Sequence, residues 1–370
     1  MTPFVIYVTT KLSVHAGGYM KVVVYGEESQ FSSSIVNVLK NGDEMVLGDK
    51  DKHMPDGTDV LALSQRHASY IKEIWKKLDP SISILAAFES PIELVEYMGS
   101  GNVFHVPYPN SSIMLKSTFE KIRMQKVLEK RLQKHIIGHS RDIKRLRAQI
   151  ALSSQSKLPV HIYGETGTGK SMSSKLIHAL SGNKKECVYI NCSNLNSSII
   201  DSDLFGHKKG AYTSAGESRK GLLGKADGTT LFLDEVGDLP LDTQGKLLDT
   251  IETGSYRPVG SDLEENTSFR LITAAQKSLE ELLEEKKIRR DFYYRIKNIS
   301  INTSPLRNHP EDIPDIIKAY EEKRNISEGR IKDDYNKLMG YKWNGNVREL
   351  YHFLDRIYAE EQRTLESERH

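Results

Sequence analysis

The sequence predicts an α/β protein: a doubly wound parallel sheet, then an α/β domain with a phosphate-binding loop. Three observations support this fold class. Short β-branched runs alternate with helical stretches from residue 21 onward, a glycine-rich loop joins an apolar run to a helical stretch, and a later apolar run ends in two carboxylates. At 370 residues the chain is too long for one ordinary core, so we expect two or three domains.

The first part of the chain carries the β/α alternation. Residues 1–19 are interpreted as a tail, with Met20 as a candidate start, because a new strand pattern begins only after it. We expect strands at 22–25, 60–63, 82–87 and 103–106, and helices near 32–40, 68–78 and 92–97.

Residues 111–134 predict one long charged helix with apolar residues at helical spacing. Two arrangements are consistent with this pattern. The helix could be a connector that dimerises like a coiled coil, or it could pack on its own domain.

The loop between the apolar run 160–163 and the helical stretch 172–180 has the spacing of a phosphate-binding loop. It consists of Gly164, Glu165, Thr166, Gly167, Thr168, Gly169, Lys170 and Ser171. Glycines let successive backbone N–H groups converge on an anion, and the following helix adds its positive N-terminal dipole. Lys170 is then expected to reach the β- and γ-phosphates of ATP, and the Ser171 hydroxyl to bind Mg²⁺.

Two further runs complete a predicted nucleoside triphosphatase. Residues 187–191 are expected to form a buried strand, and residues 229–235 an apolar strand that ends in Asp234 and Glu235. Adjacent acids at the end of a buried strand indicate a cation to meet them. We therefore expect Asp234 to hold Mg²⁺, and Glu235 to orient and deprotonate the attacking water.

Overall composition points to no strongly charged partner. The chain has 52 Lys+Arg against 50 Asp+Glu, a net charge of +2, so global charge indicates neither nucleic acid nor membrane. Cys187 and Cys192 have no metal-ligating residues near them, which favours a reduced, cytoplasmic compartment. No apolar run is long enough for a membrane span.

Residues 137–350 resemble the AAA+ domain of bacterial enhancer-binding proteins, the sigma-54-dependent activators of the NtrC type. The stretches that carry this resemblance are 137–140, the phosphate-binding loop, 191–192, 203–207, 221–235, 289–295, 304–307 and 343–350. The resemblance implies an ATPase that assembles as a hexamer and acts on sigma-54 RNA polymerase.

The resemblance also implies roles for individual residues. Asn191 matches the asparagine that holds the catalytic glutamate in an inactive pose. Arg289 and Arg295 match the arginines that a subunit offers to its neighbour's γ-phosphate, so that activity requires a ring. Arg348 matches the arginine that contacts the nucleotide from the helical subdomain, and Gln276 stands where the family usually has a sensor asparagine.

A second family motif is the loop that grips sigma-54. Its residues here are Gly210, Ala211, Tyr212, Thr213, Ser214 and Ala215. Tyr212 keeps the aromatic ring of the family's phenylalanine. Ser214 replaces a glycine, which costs about 1 kcal/mol if the loop needs a positive φ there.

The first domain resembles a response-regulator receiver that has lost its chemistry. Gly26 and Glu27 stand where receivers have an acidic pair, and Ser64 occupies the position of the phosphoacceptor aspartate. Ala86 replaces the hydroxyl switch residue, and Tyr108 replaces the lysine before the family's proline. Because hard cations need clustered carboxylates, we expect no aspartyl phosphorylation. Either a structural or docking role, or sensing of another ligand, remains open.

These interpretations give a domain order and two candidate functions. The predicted segments are a tail (1–19), a degenerate receiver-like domain (20–110), a helical linker (111–136), an AAA+ core (137–305), a helical lid (306–361) and a charged, disordered tail (362–370). The first function is an ATPase that remodels sigma-54 RNA polymerase. No helix-turn-helix pattern follows the helical stretch 347–360, so we expect no sequence-specific DNA binding from this chain. The alternative is a regulatory or scaffolding nucleotide-binding protein that assembles with, or sequesters, a related activator.

Overall fold

A computed structural model describes residues 20–25, 29–39, 43–47, 58–64, 77–88, 102–107, 112–194, 200–209, 218–326 and 335–367, and the fold and its contacts refer to these residues. The chain packs as two compact units, residues 1–152 and 153–370. The domain boundaries given above stay a prediction.

The first unit contains a five-stranded parallel sheet. Its elements are β1 (Lys21–Tyr25), α1 (Ser29–Val36), β2 (Glu44–Leu47), β3 (Val60–Ser64), β4 (Ser83–Phe88), β5 (Val103–Pro107), α2 (Ser112–Leu132) and α3 (Arg141–Ser154), in which the first unit ends. The strand order is β2-β1-β3-β4-β5. The four predicted strands are confirmed, and β2 was missed because it is a four-residue strand at the sheet edge.

The long helix α2 packs on its own sheet. Leu115, Phe119 and Ile122 are buried in the same apolar cluster as Val22 and Val60 of the strands. Of the two arrangements open for this helix, the structure therefore shows the one in which it covers the sheet of its own domain.

Two predicted helices of the first unit cannot be compared with the structure, since residues 65–76 and 89–101 lie outside the described residues, as does the tail 1–19. Residues 77 and 78, at the end of the predicted helix 68–78, are a turn and a bend. The first helix covers Ser29–Val36 rather than 32–40 and gives way to a turn at residue 37.

The second unit is built on another five-stranded parallel sheet. Its strands are β6 (Val160–Tyr163), β7 (Val188–Asn191), β10 (Thr230–Asp234), β13 (Arg270–Ala275) and β14 (Ile299–Asn302), in the order β14-β6-β13-β10-β7. Two short antiparallel pairs lie outside it, β8 (Gly206–His207) with β9 (Arg219–Lys220), and β11 (Ser255–Tyr256) with β12 (Glu265–Asn266). The sheet brings the carboxyl ends of β6, β10 and β7 to one edge.

Helices surround this sheet and then form a separate group after β14. The first set is α4 (Lys170–Leu180), α5 (Ile200–Phe205), α6 (Leu222–Lys225), α7 (Leu241–Thr253), α8 (Leu279–Glu284) and α9 (Arg290–Ile296). The second set, which we call the lid, is α10 (Ile313–Arg324), α11 (Tyr335–Gly340) and α12 (Asn346–Ser367), preceded by 3₁₀ turns at Leu306–Asn308 and Pro310–Asp312.

The predicted disorder of the charged tail is wrong as far as Ser367, because α12 continues to that residue. Residues 360–367 are rich in Glu, Gln and Arg, which lose little side-chain freedom in a helix, so a helix that is already nucleated can continue through them. Within the described residues, no helix is both long enough and apolar enough to cross a membrane.

Candidate nucleotide site

The phosphate-binding loop connects β6 to α4 in the way the sequence predicts. Gly164 and Gly169 have φ angles of 150° and 100°, which favour glycine. A Cβ on Gly164 would lie 2.3 Å from Thr303 Oγ1, and one on Gly167 would lie 2.1 Å from the Gly345 carbonyl oxygen. The loop therefore needs glycine both for its backbone conformation and for the close approach of the neighbouring segments.

Lys170 points back into this loop. Its side chain is buried, and Nζ donates hydrogen bonds to the carbonyl oxygens of Gly164, at 2.8 Å, and Glu165, at 3.2 Å. Burial lowers the pKa of the Lys170 ammonium, while the charges of Glu235 and Asp234 oppose that shift. The cation is thus held inside the loop that is predicted to receive the phosphates.

Asp234 lies at the end of β10, opposite the start of α4. It is 7% exposed, and its Oδ2 accepts hydrogen bonds from Ser171 Oγ at 3.1 Å and from the Tyr189 hydroxyl at 2.7 Å. Burial and, to a lesser extent, the hydrogen bond to Asp234 raise the pKa of Tyr189 to about 12. The phenol is therefore a neutral hydrogen-bond donor at physiological pH.

The side-chain oxygens of Ser171 and Asp234 suit Mg²⁺ as ligands. This ion prefers oxygen ligands and is commonly bound through one or two protein oxygens together with water and substrate phosphates. The Ser171 hydroxyl and the Asp234 carboxylate lie within hydrogen-bonding distance of each other beside the loop. They supply that donor set at the position the sequence predicts.

Glu235 and Asn191 lie at the ends of neighbouring strands. Glu235 follows β10 with a left-handed φ of 52°, and its N–H donates to Asp234 Oδ1 at 3.2 Å. Asn191 is the register partner of Asp234, and its Oδ1 accepts from Ser193 N–H at 3.0 Å. The structure therefore brings both predicted residues to the carboxyl edge, next to the phosphate-binding loop.

The strand β7 is not the buried strand that the sequence predicts. It is the edge strand of the sheet, and Tyr189 in its middle is 46% exposed. An apolar run of four residues does not distinguish an edge strand from a central one.

A cluster of three residues connects the loop to the lid. Arg307 donates to both carboxylate oxygens of Glu165, at 2.7 and 2.5 Å. The fully buried Asn346 donates to Glu165 Oε2 at 3.2 Å and to the Thr166 carbonyl at 2.9 Å, and accepts from Leu306 N–H at 2.8 Å. We call Glu165, Arg307 and Asn346 the lid latch. Arg307 is the main cause that lowers the pKa of Glu165 to about 2.

The lid also brings Arg348 to the loop. Its Cβ would lie 3.1 Å from a Cβ on Gly167, and its charge contributes to the lowered pKa of Lys170. Gln276 is exposed and directly follows β13, whose last residue, Ala275, accepts a hydrogen bond from Gly164 N–H at 3.3 Å. Both residues thus lie at the same edge as the loop, and their contacts with nucleotide stay predictions.

The two predicted trans arginines lie on and beside α9. Arg289 forms a bidentate pair with Asp291, at 3.1 and 2.7 Å, and Arg295 donates to the Ile251 carbonyl at 3.1 Å. Both side chains are exposed. Their surface positions are compatible with contact to another subunit, and that role stays a prediction.

The predicted sigma-54 contact loop, residues 210–215, lies outside the described residues. Its base is described. His207 pairs with Arg219 and Gly206 with Lys220, and Lys209 N–H donates to Ser218 Oγ at 3.0 Å. A Cβ on Gly206 would lie 2.5 Å from the Arg219 carbonyl oxygen, so the two strands approach closely at this point.

Sequence reasoning missed two residues that shape the site. Thr303 shares a hydrogen bond of 2.7 Å with Thr168 Oγ1 and donates to the Tyr163 carbonyl at 3.1 Å, which braces the loop from β14. Tyr189 reaches Asp234 across the sheet. Side chains alternate between the two faces of a strand, so Tyr189 and Asn191 of β7 lie on one face. This pattern could have indicated the contact between Tyr189 and Asp234.

One family model and several known proteins are similar to this chain. Residues 136–302 match the family model of the sigma-54 interaction domain. The chain is 32% identical over 321 residues to the response regulator protein PilR of Pseudomonas aeruginosa, covering 84% of this chain and 70% of PilR. It is 40% identical over 227 residues to the formate hydrogenlyase transcriptional activator FhlA of Escherichia coli, covering 60% of this chain but only 33% of FhlA.

A solved structure shares the overall fold. NtrX from Brucella abortus, crystallised in complex with ATP, is 21% identical with a TM-score of 0.52, and the match covers 89% of this chain and 78% of NtrX. At this identity the likeness concerns the fold.

Proposed function

Because this chain belongs to the family of sigma-54-dependent transcriptional activators, we propose that it binds and hydrolyses ATP with Mg²⁺ in the cytoplasm and uses that hydrolysis to remodel sigma-54 RNA polymerase. The observation that carries the proposal is the contact between Ser171 of the phosphate-binding loop and Asp234 of β10, with Glu235 as the next residue. This contact joins the two halves of a phosphoryl-transfer site.

Each residue of this site has a distinct task. The Lys170 ammonium exchanges its two loop carbonyls for oxygens of the β- and γ-phosphates. Ser171 and Asp234 would hold Mg²⁺, which when bound would neutralise charge on the phosphate oxygens. Glu235 orients the attacking water and accepts its proton. Asn191, beside it on β7, controls the pose of that carboxylate.

The site is completed by another subunit. Arg289, just before α9, and Arg295, on α9, are exposed and stabilise the charge on the γ-phosphate of a neighbouring copy, and the assembly is a hexameric ring. Arg348 and Gln276 complete the nucleotide contacts from the lid and from the end of β13.

Hydrolysis is transmitted to sigma-54 through residues 210–215. The antiparallel pair β8–β9 lies on either side of this segment in the sequence and is part of the second unit's own fold. An aromatic ring at Tyr212 gives the segment an apolar surface with which to grip a partner.

The decisive experiment is open-complex formation on a sigma-54 promoter, with sigma-54 RNA polymerase, ATP and a high concentration of this protein. We expect open complexes that depend on ATP hydrolysis, and none with Tyr212→Ala, which leaves the ATPase residues intact. Hydrolysis without open complexes would contradict the proposed function and favour the regulatory or scaffolding role.

A further inference from the structure

Tyr189 lies on β7, outside the phosphate-binding loop, and its hydroxyl contacts Asp234, a predicted Mg²⁺ ligand. It is the register partner of Phe232 on β10, and the two rings are tilted with their centroids 5.2 Å apart. Its hydroxyl donates to Asp234 Oδ2 at 2.7 Å, which is shorter than the 3.1 Å bond from Ser171 to the same oxygen. Although Tyr189 as a whole is nearly half exposed, its hydroxyl bonds to the carboxylate.

The three bonds to Asp234 leave little freedom in its carboxylate. The two oxygens of a carboxylate offer about four acceptor directions. Ser171 and Tyr189 occupy both directions of Oδ2, and the Glu235 N–H occupies one direction of Oδ1. Among the described residues, these donors leave one direction of Oδ1 for a ligand or a metal-bound water.

We propose that Tyr189 is a positioning residue for the Mg²⁺ site, which fixes the rotation of the Asp234 carboxylate through the hydrogen bond of its hydroxyl to Oδ2. Without this bond the carboxylate is held on Oδ2 by Ser171 alone, and it must be ordered at the moment the ion binds. The inference rests on the proposed function, because it concerns the same nucleotide site.

The test measures metal dependence and does not use hydrolysis. The binding of ADP to the full chain is followed by calorimetry at increasing Mg²⁺ and, separately, with the metal removed by EDTA. For Tyr189→Phe we expect the Mg²⁺ concentration at half-saturation to rise by about tenfold, since residues that orient metal ligands typically have effects of this size. Affinity for ADP in EDTA should equal that of the wild type, because the Phe ring keeps its contact with Phe232.

Tyr256→Phe is the matched control. The Tyr256 hydroxyl donates to Glu265 Oε2 at 2.9 Å, so this variant also removes one phenol–carboxylate bond, but it does so in the β11–β12 pair. We expect its Mg²⁺ dependence to equal that of the wild type. A shift of the same size in both variants would mean that a general loss of stability causes it, and would overturn the inference.

Other outcomes separate the inference from the proposed function. If the wild type shows Mg²⁺-dependent binding and Tyr189→Phe shows an unchanged half-saturation, only the positioning role is wrong. A lower half-saturation in Tyr189→Phe would mean that the phenol competes with the ion, which also overturns that role. If the wild type binds ADP with no Mg²⁺ dependence, the proposed metal site is wrong and the inference falls with it.

Discussion

Each unit contains a five-stranded parallel sheet, and among the described residues two acids follow a strand of the second sheet whereas two acids precede strands of the first. In the second unit, Asp234 and Glu235 follow the carboxyl end of β10. In the first unit, Asp43 and Asp59 precede the amino ends of β2 and β3. Asp43 accepts from Met20 N–H at 3.0 Å, and Asp59 accepts from Lys21 N–H at 2.9 Å.

This difference shows that a parallel sheet provides a position for a ligand but not the side chains that bind it. Ligands of such sheets bind outside the carboxyl ends of the strands. At that edge of the first unit β3 ends in Ser64, and Ala86 is fully buried within β4, two residues before that strand ends. Asp43 and Asp59 instead accept hydrogen bonds from the backbone before β1 and at its start, and Asp43 also pairs with Arg123 of α2. The same architecture thus places Asp234 and Glu235 where we propose that ATP is hydrolysed, whereas the two described acids of the first sheet make structural contacts.

The largest expected effect is that of removing Arg289 or Arg295. It tests whether the proposed ATPase site is complete within one chain. Arg289→Ala and Arg295→Ala should each lower the rate of ATP hydrolysis by about 10³-fold or more, the usual contribution of an arginine that stabilises the transferring phosphoryl group. ATP binding by the isolated subunit should remain, because both arginines bond to residues of α7 and α9. Phosphate release and calorimetry measure the two quantities.

Arg290→Ala is the control for this prediction. Arg290 is the adjacent exposed arginine of α9, and its guanidinium lies over the Tyr294 ring at 5.9 Å. Its removal should leave hydrolysis close to the wild-type rate. Turnover that is independent of protein concentration and of both Arg289 and Arg295 would contradict the trans role.

The next prediction compares Glu235, at the carboxyl edge of the second sheet, with Asp59, at the amino edge of the first sheet. Glu235→Gln should bind ATP normally but hydrolyse it about 10²- to 10⁴-fold more slowly, since the amide cannot accept a proton from water. Asp59→Asn, at the amino edge of the first sheet, should leave the hydrolysis rate unchanged and lower only the thermal stability. Wild-type turnover by Glu235→Gln would exclude its role as the base.

A smaller effect concerns the lid latch. Glu165→Gln should lower stability by about 0.5–1 kcal/mol, because the Glu165–Arg307 pair is bidentate but both side chains are about 40% exposed and screened by water. Arg257→Ala, which breaks the exposed Arg257–Glu264 pair of the β11–β12 segment, is the control. Only the Glu165 variant should also weaken ATP binding, since the latch contacts the phosphate-binding loop.

The lowered pKa of Glu165 gives this prediction a pH dependence. A carboxyl group whose pKa is depressed in the folded state stabilises that state above its unfolded pKa, near 4.5, and loses this contribution as the pH falls toward its folded pKa of about 2. The difference in unfolding temperature between wild type and Glu165→Gln should therefore be constant above pH 5 and shrink below pH 4.5. A difference that grows as the pH falls would contradict the latch.

Local parts of this molecule could be predicted well from its sequence, and long-range contacts poorly. The phosphate-binding loop and the acidic end of β10 are contiguous patterns whose spacing has a direct mechanical meaning, so the amino-acid sequence alone locates them. The bonds from Tyr189 to Asp234 and from Arg307 to Glu165 join residues 45 and 142 positions apart. They depend on strand order and on the placement of the lid, which no local pattern specifies.

The smallest expected effect is the absence of phosphorylation in the first unit, and it tests whether its carboxyl edge has lost its chemistry. Acetyl phosphate and Mg²⁺ should leave both the wild type and Ser64→Asp unmodified by mass spectrometry. Restoring the acceptor is insufficient, because Gly26 occupies one of the two positions of the acidic pair after β1, and Mg²⁺ needs clustered carboxylates to bind there. Modification of residue 64 in Ser64→Asp would show that the edge retains a metal site and that only the acceptor had been lost.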